Sequence, residues 1–282
     1  MTKRMLMPFA FMLALTAAGP FAPGESKDQQ QINTKNALTA QVMSMLVPQQ
    51  CFSSGSGATF LKTCITNNGN ISWIESPAGK VHLQSREGYA ICSDIGYPNK
   101  TVHGFDANIA SSGWGVSAVS QPGGVGTFPL IITRQSLDGF LQFKQTFTFN
   151  SGERGIDLVM DIKNISATVL PNVVMSRYFD GDVDGSVTNT YSATRDSDWG
   201  RGPDGRGLML TSAPSAVVSF TGEGMKYSDW DPFGAGQQYA RGCGYAGPNP
   251  NNVGDFVGGL HLDLLDLYPN QTRTVTLRYR RF

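Results

Sequence analysis

Polar and apolar residues alternate with a period of two over most of the chain beyond residue 57. From Phe140 to Phe149, Leu141, Phe143, Phe147 and Phe149 fall on one face, while Gln142, Lys144, Thr146 and Thr148 fall on the other. Ile156, Leu158, Met160 and Ile162 repeat the pattern, with Asp157, Asp161 and Lys163 mostly opposite. Such alternation places strands with one face on a core and one in water. Leu137-Asp138-Gly139 lies between two of these runs and marks a hairpin. Further strands are predicted near 59–66, 70–76, 79–84, 88–93, 113–119, 128–135, 169–179, 188–195, 206–212, 215–220, 255–265 and 271–281. Turn residues separate them, and no helical period persists after residue 57. Upstream, Leu38, Val42, Met45 and Leu46 share one helical face, with Thr34 or Asn36 available as a cap. The predicted fold is all-β, a large antiparallel β-sandwich with a short N-terminal helix.

The N-terminus changes the picture of where this domain works. Lys3 and Arg4 precede an apolar run from Met5 to Leu15, then Thr16-Ala17-Ala18. A charged start, an apolar stretch and small residues make a secretory signal over residues 1–18, with cleavage after Ala18 and a second site at Ala22. The apolar run is too short to span a bilayer and contains Pro8. The predicted location is therefore secreted or periplasmic, with no membrane span in the mature chain. Residues 19–57 read as a polar leader with the short helix and a Ser/Gly linker at 53–57; residues 58–282 read as one β-sandwich domain.

Cysteine usage agrees with export. Cys51, Cys64, Cys92 and Cys243 have neither the C-x-x-C spacing nor the nearby histidines of a zinc site. In an oxidising compartment they form two disulfides. Of three connectivities, Cys51–Cys64 and Cys92–Cys243 are favoured; free buried thiols are the alternative. The whole chain carries 22 basic and 22 acidic residues. Removing Lys3 and Arg4 leaves 20 against 22, a net charge of −2. No basic stripe runs along it, so nucleic acid is not an expected partner. Asn70, Asn99, Asn164 and Asn270 begin N-x-S/T triplets, which matter only where glycosylation occurs.

Candidate chemistry is concentrated in Asp180-Gly181-Asp182-Val183-Asp184-Gly185, directly after a long apolar strand. Carboxylates at every second position, with glycines to turn the chain, suit a hard cation such as calcium. Counted from Asp180, Asp182, Asp184 and Gly185 fall at EF-hand positions. The twelfth position is Tyr191, where a bidentate Glu is required, and no helices flank the loop. Asn189, Asp196 and Asp198 follow closely enough to complete an oxygen shell in a structural site. The competing reading is a solvated turn. A second candidate set is aromatic: Trp114, Trp199, Trp230 and Phe233 lie in stretches that read as loops, and Asp229 and Asp231 flank Trp230. Aromatic faces stack on sugars and carboxylates accept sugar hydroxyls, although loop aromatics also serve as packing anchors. Asp229 and Asp231 sit side by side on one segment, with nothing to make them an acid–base pair. Ser53–Gly57 lacks the G-x-S-x-G spacing of a nucleophile elbow. Gly123–Gly126 opens a strand and so offers no helix N-terminus to phosphate.

Two stretches resemble the galactose-mutarotase-like β-supersandwich. They are Gly139-Phe140-Leu141 through Phe147, Ile156 to Ser166 and Leu170-Pro171 to Tyr178-Phe179, and the closing segment from Leu264 to Phe282. The resemblance covers about a third of the chain. It implies a supersandwich-like fold, one that also serves lyases, glycosidase accessory domains and plain carbohydrate binders, so the fold alone does not assign a function. That family's mutarotases keep a catalytic histidine two residues before the tyrosine. Here Ser176 stands there, followed by Arg177, and His82, His103 and His261 do not match the motif. Mutarotation is therefore not expected. Two function classes remain, beside a purely structural surface protein. One is a secreted, non-catalytic module that binds carbohydrate or a cell-surface component, stabilised by calcium. The other is a polysaccharide lyase or hydrolase using Arg177 and the Asp180–Asp184 rim. The absence of a complete catalytic set favours the first, with Arg177, Trp199, Trp230 and Asp229 as ligand-binding residues.

Overall fold

A computed structural model describes residues 48–84, 87–97, 101–107, 111–150, 154–186, 188–194, 196–212, 219–226, 253–254 and 256–282, with the side chains of 84, 150, 219–226 and 256 excepted. The chain divides into two compact units, Met1–Leu38 and Thr39–Phe282. The first unit, the expected signal and the whole of the expected helix lie outside the described residues, as do Asp229, Trp230, Asp231, Phe233 and Cys243.

The second unit is all-β and antiparallel among its described residues. Strands β1 (Gln49–Ser54), β2 (Leu61–Thr66), β3 (Ile71–Glu75) and β4 (Val81–Gln84) form a four-stranded sheet in chain order. A six-stranded sheet runs β16 (Ser219–Lys226), β18 (Phe256–Leu267), β12 (Leu170–Asp180), β5 (Glu87–Ser93), β6 (Thr101–Asp106), β7 (Ser111–Ser112). A nine-stranded sheet runs β17 (Val253–Gly254), β13 (Asn189–Ala193), β14 (Ser197–Arg201), β15 (Gly207–Ser212), β19 (Thr272–Arg281), β11 (Gly155–Asn164), β10 (Leu141–Asn150), β9 (Leu130–Gln135), β8 (Ala118–Ser120).

The core lies where the inward faces of the nine- and six-stranded sheets meet. The predicted alternation supplies it: Phe143 pairs with Ile162 and Phe147 with Leu158 across β10 and β11, and all four are fully buried. Val275, Leu277 and Tyr279 of β19 extend that face, and Met175 and Phe179 of β12 with Leu260 and Leu262 of β18 close it from the other sheet. The outward face of the nine-stranded sheet is polar and held by cross-strand pairs. Lys144 Nζ lies 2.6 Å from Asp161, and Asp157 pairs with Arg278. β12 and β5 occupy the middle of their sheet and are buried on both faces from Met175 to Asp180 and from Glu87 to Ser93. A smaller apolar cluster, with Ala90, Cys92, Phe105, Tyr178 and Val257, covers their outward side.

Several elements differ from the sequence reading. The domain begins earlier than residue 58: Gln49–Ser54 pairs with β2, and Cys51 stands directly opposite Cys64. The run expected as linker at 53–57 is the end of this strand followed by a 3-10 turn, Gly57–Thr59. Trp199 was expected on a loop and lies on β14, which pairs with β13 and β15 on either side. Its sequence, Ser-Asp-Trp-Gly-Arg, has little strand propensity, so pairing partners on both sides decide its conformation. The hairpin at 137–139 forms as expected, with Gly139 at φ 78°.

Candidate functional site

Arg177 sits at the centre of the interior. Alternation along β12 points it into the space between the sheets, and it is fully buried. Its Nε donates to Glu87 Oε1 at 2.5 Å and its Nη2 to Glu87 Oε2 at 3.0 Å, a bidentate pair. Nη2 also donates to the Gly69 carbonyl at 2.9 Å, and Nη1 to Gln145 Oε1 at 2.5 Å. Glu87 further accepts the Tyr279 hydroxyl at 2.7 Å and the Ile71 N–H at 2.8 Å. The guanidinium lies 5.5 Å from the Tyr89 ring and 5.9 Å from that of Phe147. Burial pushes the Glu87 carboxyl up from its usual range, while Arg177 and the Tyr279 and Ile71 donors pull it back. Burial, together with the charge of Glu87, raises the Tyr279 hydroxyl well above its ordinary value, so it donates as a neutral phenol. The four-stranded sheet (Gly69, Ile71), the six-stranded sheet (Glu87, Arg177) and the nine-stranded sheet (Gln145, Tyr279) therefore meet in one hydrogen-bonded knot. This corrects the expectation of a ligand-facing Arg177: each of its nitrogens is engaged inside the protein.

A second buried pair lies beside it. Arg134 donates to Asp106 Oδ2 at 2.6 Å and to the Tyr89 hydroxyl at 3.1 Å. Asn70 donates to the other Asp106 oxygen. Sequence reading passed over both knots. The available signal was polar residues on apolar faces: Gln145 falls on the same side of β10 as Phe143 and Phe147.

Ser176, the position two residues before Tyr178, lies on the outward face of the six-stranded sheet, the face opposite that of Met175, Arg177 and Phe179. The cross-strand neighbour of Ser176 on β18 is His261. Residues opposite one another across a ladder share a face, so a histidine does face this side, one strand over. Ser176 and His261 are 2% and 9% exposed. Tyr178 follows on the same face and lies over Gly88 and Gly259, where an added Cβ would meet its ring or its Cβ.

Ser93, His103 and Asp138 form a third polar arrangement. His103 Nε2 is 2.8 Å from Ser93 Oγ, and its Nδ1 is 2.7 Å from Asp138 Oδ2. The order matches a hydrolase triad, but Ser93 is fully buried, and its oxygen also accepts the Ile95 N–H. A nucleophile must reach substrate, so these residues tie β5 and β6 to the 136–139 turn. Asp138 is anchored there by Ser136 Oγ and the Phe140 N–H.

The acidic run spreads over different partners. Asp184 accepts the Val81 N–H at 2.9 Å and lies 3.2 Å from Lys80 and 3.6 Å from Arg206. Asp198 is buried and accepts the Gly259 N–H at 2.9 Å. Asp196 accepts the Thr194 hydroxyl at 3.0 Å, and Asn189 donates to the Ser186 carbonyl at 2.7 Å. Asp180 is buried at the end of β12 and Asp182 precedes the 3-10 turn at Val183–Gly185. Among the described residues, no three of His, Cys, Asp and Glu gather closely enough to hold a metal ion.

Trp199 is half-buried on the outward face of the nine-stranded sheet. The Phe282 ring meets it edge-on at 5.7 Å, and the Arg201 guanidinium lies 6.0 Å from its centroid. Phe282 is 42% exposed, and its ring covers Gly207, where a Cβ would collide. Trp114 is buried against Tyr89 and Phe143 as a core anchor. The Cys51–Cys64 disulfide is present, and Cys92 is also disulfide-bonded.

No protein-family model and no curated protein matches the chain. Solved structures similar to it include the heparan sulfate lyase HepC of Pedobacter heparinus, at 10% identity and a TM-score of 0.45, covering 84% of this chain and 35% of the lyase. The chain thus spans about a third of that enzyme's length. A galactose mutarotase-like protein of Lactobacillus casei aligns at 8% identity and a TM-score of 0.45 over 82% of this chain and 100% of its own. The Slr1438 protein of Synechocystis aligns at 10% identity and 0.43, over 83% and 96%. Overlaps at this level carry no function across. The fold that the sequence resembles is among them.

Proposed function

We propose that this chain is an exported, non-catalytic β-sandwich module that binds carbohydrate at a cell surface. The observation that carries the reading is the Trp199–Phe282 patch: a half-exposed indole braced by an aromatic edge and a guanidinium. It stands on a paired strand, so its geometry is held by the sheet. Flat aromatic surface with flanking donors suits a sugar ring's C–H face and hydroxyls. The absence of chemistry is supported by the same accounting. Arg177 and Glu87 are bonded to one another inside the core, and the Ser93–His103–Asp138 chain ends on a sealed hydroxyl. Export is supported by the disulfides at Cys51–Cys64 and Cys92, which persist in oxidising compartments.

The test is a glycan array followed by titration of the full chain, read by tryptophan fluorescence. Binding to at least one glycan class, lost in Trp199→Ala at unchanged melting temperature, is the expected result. Trp230→Ala and Asp229→Ala, which alter residues outside the described set, show whether that segment shares the site. No binding to any glycan refutes the reading.

A further inference from the structure

The row of residues through Trp199 crosses five strands of the nine-stranded sheet. Ser192 of β13, Trp199 of β14, Met209 of β15, Arg280 of β19 and Gly155 of β11 stand opposite one another in turn. Residues opposite one another across a ladder share a face, here the outward one. The adjoining row holds Thr190, Arg201 and Gly207. It ends on Phe282, which exchanges both backbone hydrogen bonds with Gly207 at 3.1 Å. Trp199, Met209 and the Phe282 ring therefore make an apolar floor. Arg201 lies at one border of it, 6.0 Å from the indole centroid. Arg280 lies at the other, beyond Met209, and two strand spacings put its backbone about 10 Å from that of Trp199.

The sheet supplies no countercharge to these two arginines. The ladder neighbours of Arg280 are Met209 and Gly155, and those of Arg201 are Thr190 and Gly207. None carries a carboxylate, and Gly155 leaves the flank of Arg280 bare: an added Cβ there would come within 3.1 Å of the Arg280 Cβ. Among the described residues, neither arginine enters an ion pair. Further along the same face the charges are matched. Arg278 donates twice to Asp157, and Lys144 lies 2.6 Å from Asp161. Arg201 and Arg280 are both exposed, so their donor forks are open to a carboxylate or sulfate.

A sugar ring stacked on Trp199 projects its substituents sideways, past the indole toward Arg201 and over Met209 toward Arg280. We infer that Arg201 and Arg280 bind carboxylate or sulfate groups of the carbohydrate that stacks on Trp199, which makes the ligand an acidic polysaccharide lying across β14, β15 and β19. The inference rests on the carbohydrate-binding reading and adds to it the charge class and the path of the ligand.

Calorimetric titration of the full chain tests it with a sulfated, a uronate and a neutral hexasaccharide. At least one acidic sugar should bind more tightly than the neutral one and weaken as salt rises; the tighter of the two names the acid. The ratio of acidic to neutral affinity should fall about fivefold in Arg201→Gln and in Arg280→Gln, the loss of one exposed charge contact each. Both positions are exposed, so melting curves of the variants should match wild type. Lys163→Gln removes a charge from the far end of the same face, opposite Thr272, and should leave the ratio unchanged. Equal affinity for neutral and acidic sugars, or a ratio insensitive to both arginine substitutions, overturns the inference and leaves the Trp199 reading intact. An equal fall in Lys163→Gln also overturns it, because the attraction is then spread over the face. No binding of any hexasaccharide overturns both.

Discussion

Replacing Arg177 with Met leaves the Glu87 carboxylate in the middle of the core without its bidentate partner. It also strips the Gln145 Oε1 and Gly69 carbonyl of their donor. Removing one half of a buried ion pair costs about 3–5 kcal/mol, because the remaining charge stays desolvated. At about 2–4 °C per kcal/mol for a domain of this size, the melting temperature should fall by roughly 10 °C. The cost should depend on pH. Burial already raises Glu87 in the folded protein, and losing Arg177 raises it further. A carboxyl whose folded pKa lies above its unfolded value favours the folded state at low pH, and that contribution is lost as pH rises through the folded pKa. The gap between variant and wild type should therefore narrow as pH falls from neutral toward the unfolded carboxylate value. Glu87→Gln combined with Arg177→Met should recover part of the loss, since no charge is then left unpaired. Urea denaturation at neutral and acidic pH measures all three proteins. A loss below about 1 kcal/mol, or one independent of pH, would refute the assignment of Arg177 to a buried pair and return it to the list of ligand-facing residues.

Reducing and blocking Cys51 and Cys64, or replacing both with Ser, should cost about 2–3 kcal/mol, since the bridge closes a short loop with a sequence separation of 13. Peptide mapping without reductant should recover the 51–64 pair, and a melting curve gives the cost. Gly88→Ala should destabilise by at least about 1–3 kcal/mol, because its Cβ would fall on the Asp106 carbonyl and the Tyr178 hydroxyl; a neutral effect in thermal melts would contradict the packing described. His103→Ala should cost about 1–3 kcal/mol by removing the ring partner of the buried Ser93 hydroxyl and of Asp138 Oδ2, with glycan binding unaltered. Melting curves in excess calcium and in chelator test the acidic run as a structural cation site: a rise of several degrees with calcium, abolished by Asp182→Ala, is the outcome that supports it, and identical curves refute it.

Much of the fold was legible because it rests on local alternation. β10 and β11 were readable as half-buried strands, and the turn between β9 and β10 followed from Asp138-Gly139. β1, β6 and β14 were not. β1 and β14 are rich in Gln, Ser, Asp and Gly, and β6 is short and interrupted by His103-Gly104; each is extended because its neighbours pair with it, β1 along one edge and β6 and β14 on both sides. The acidic run had the spacing of a cation loop, yet Lys80, more than a hundred positions earlier, sits against Asp184. A pattern within six residues carries no information about a partner that distant.

The sequence by itself determined the all-β class, the inward faces of the long strands, and the cysteine usage that fits an oxidising compartment. These follow from side-chain period and composition, which are local. Only the tertiary structure decided what the charged residues do. Arg177 could have faced a ligand or the core; its bulged, centrally placed strand turns it inward, and Glu87, ninety residues away, meets it there. Arg134 and Asp106, 28 positions apart, become a buried pair only because β9 and β6, from two different sheets, meet in the core. Charge acts through space, so its consequences are fixed when register and sheet order bring distant residues within reach.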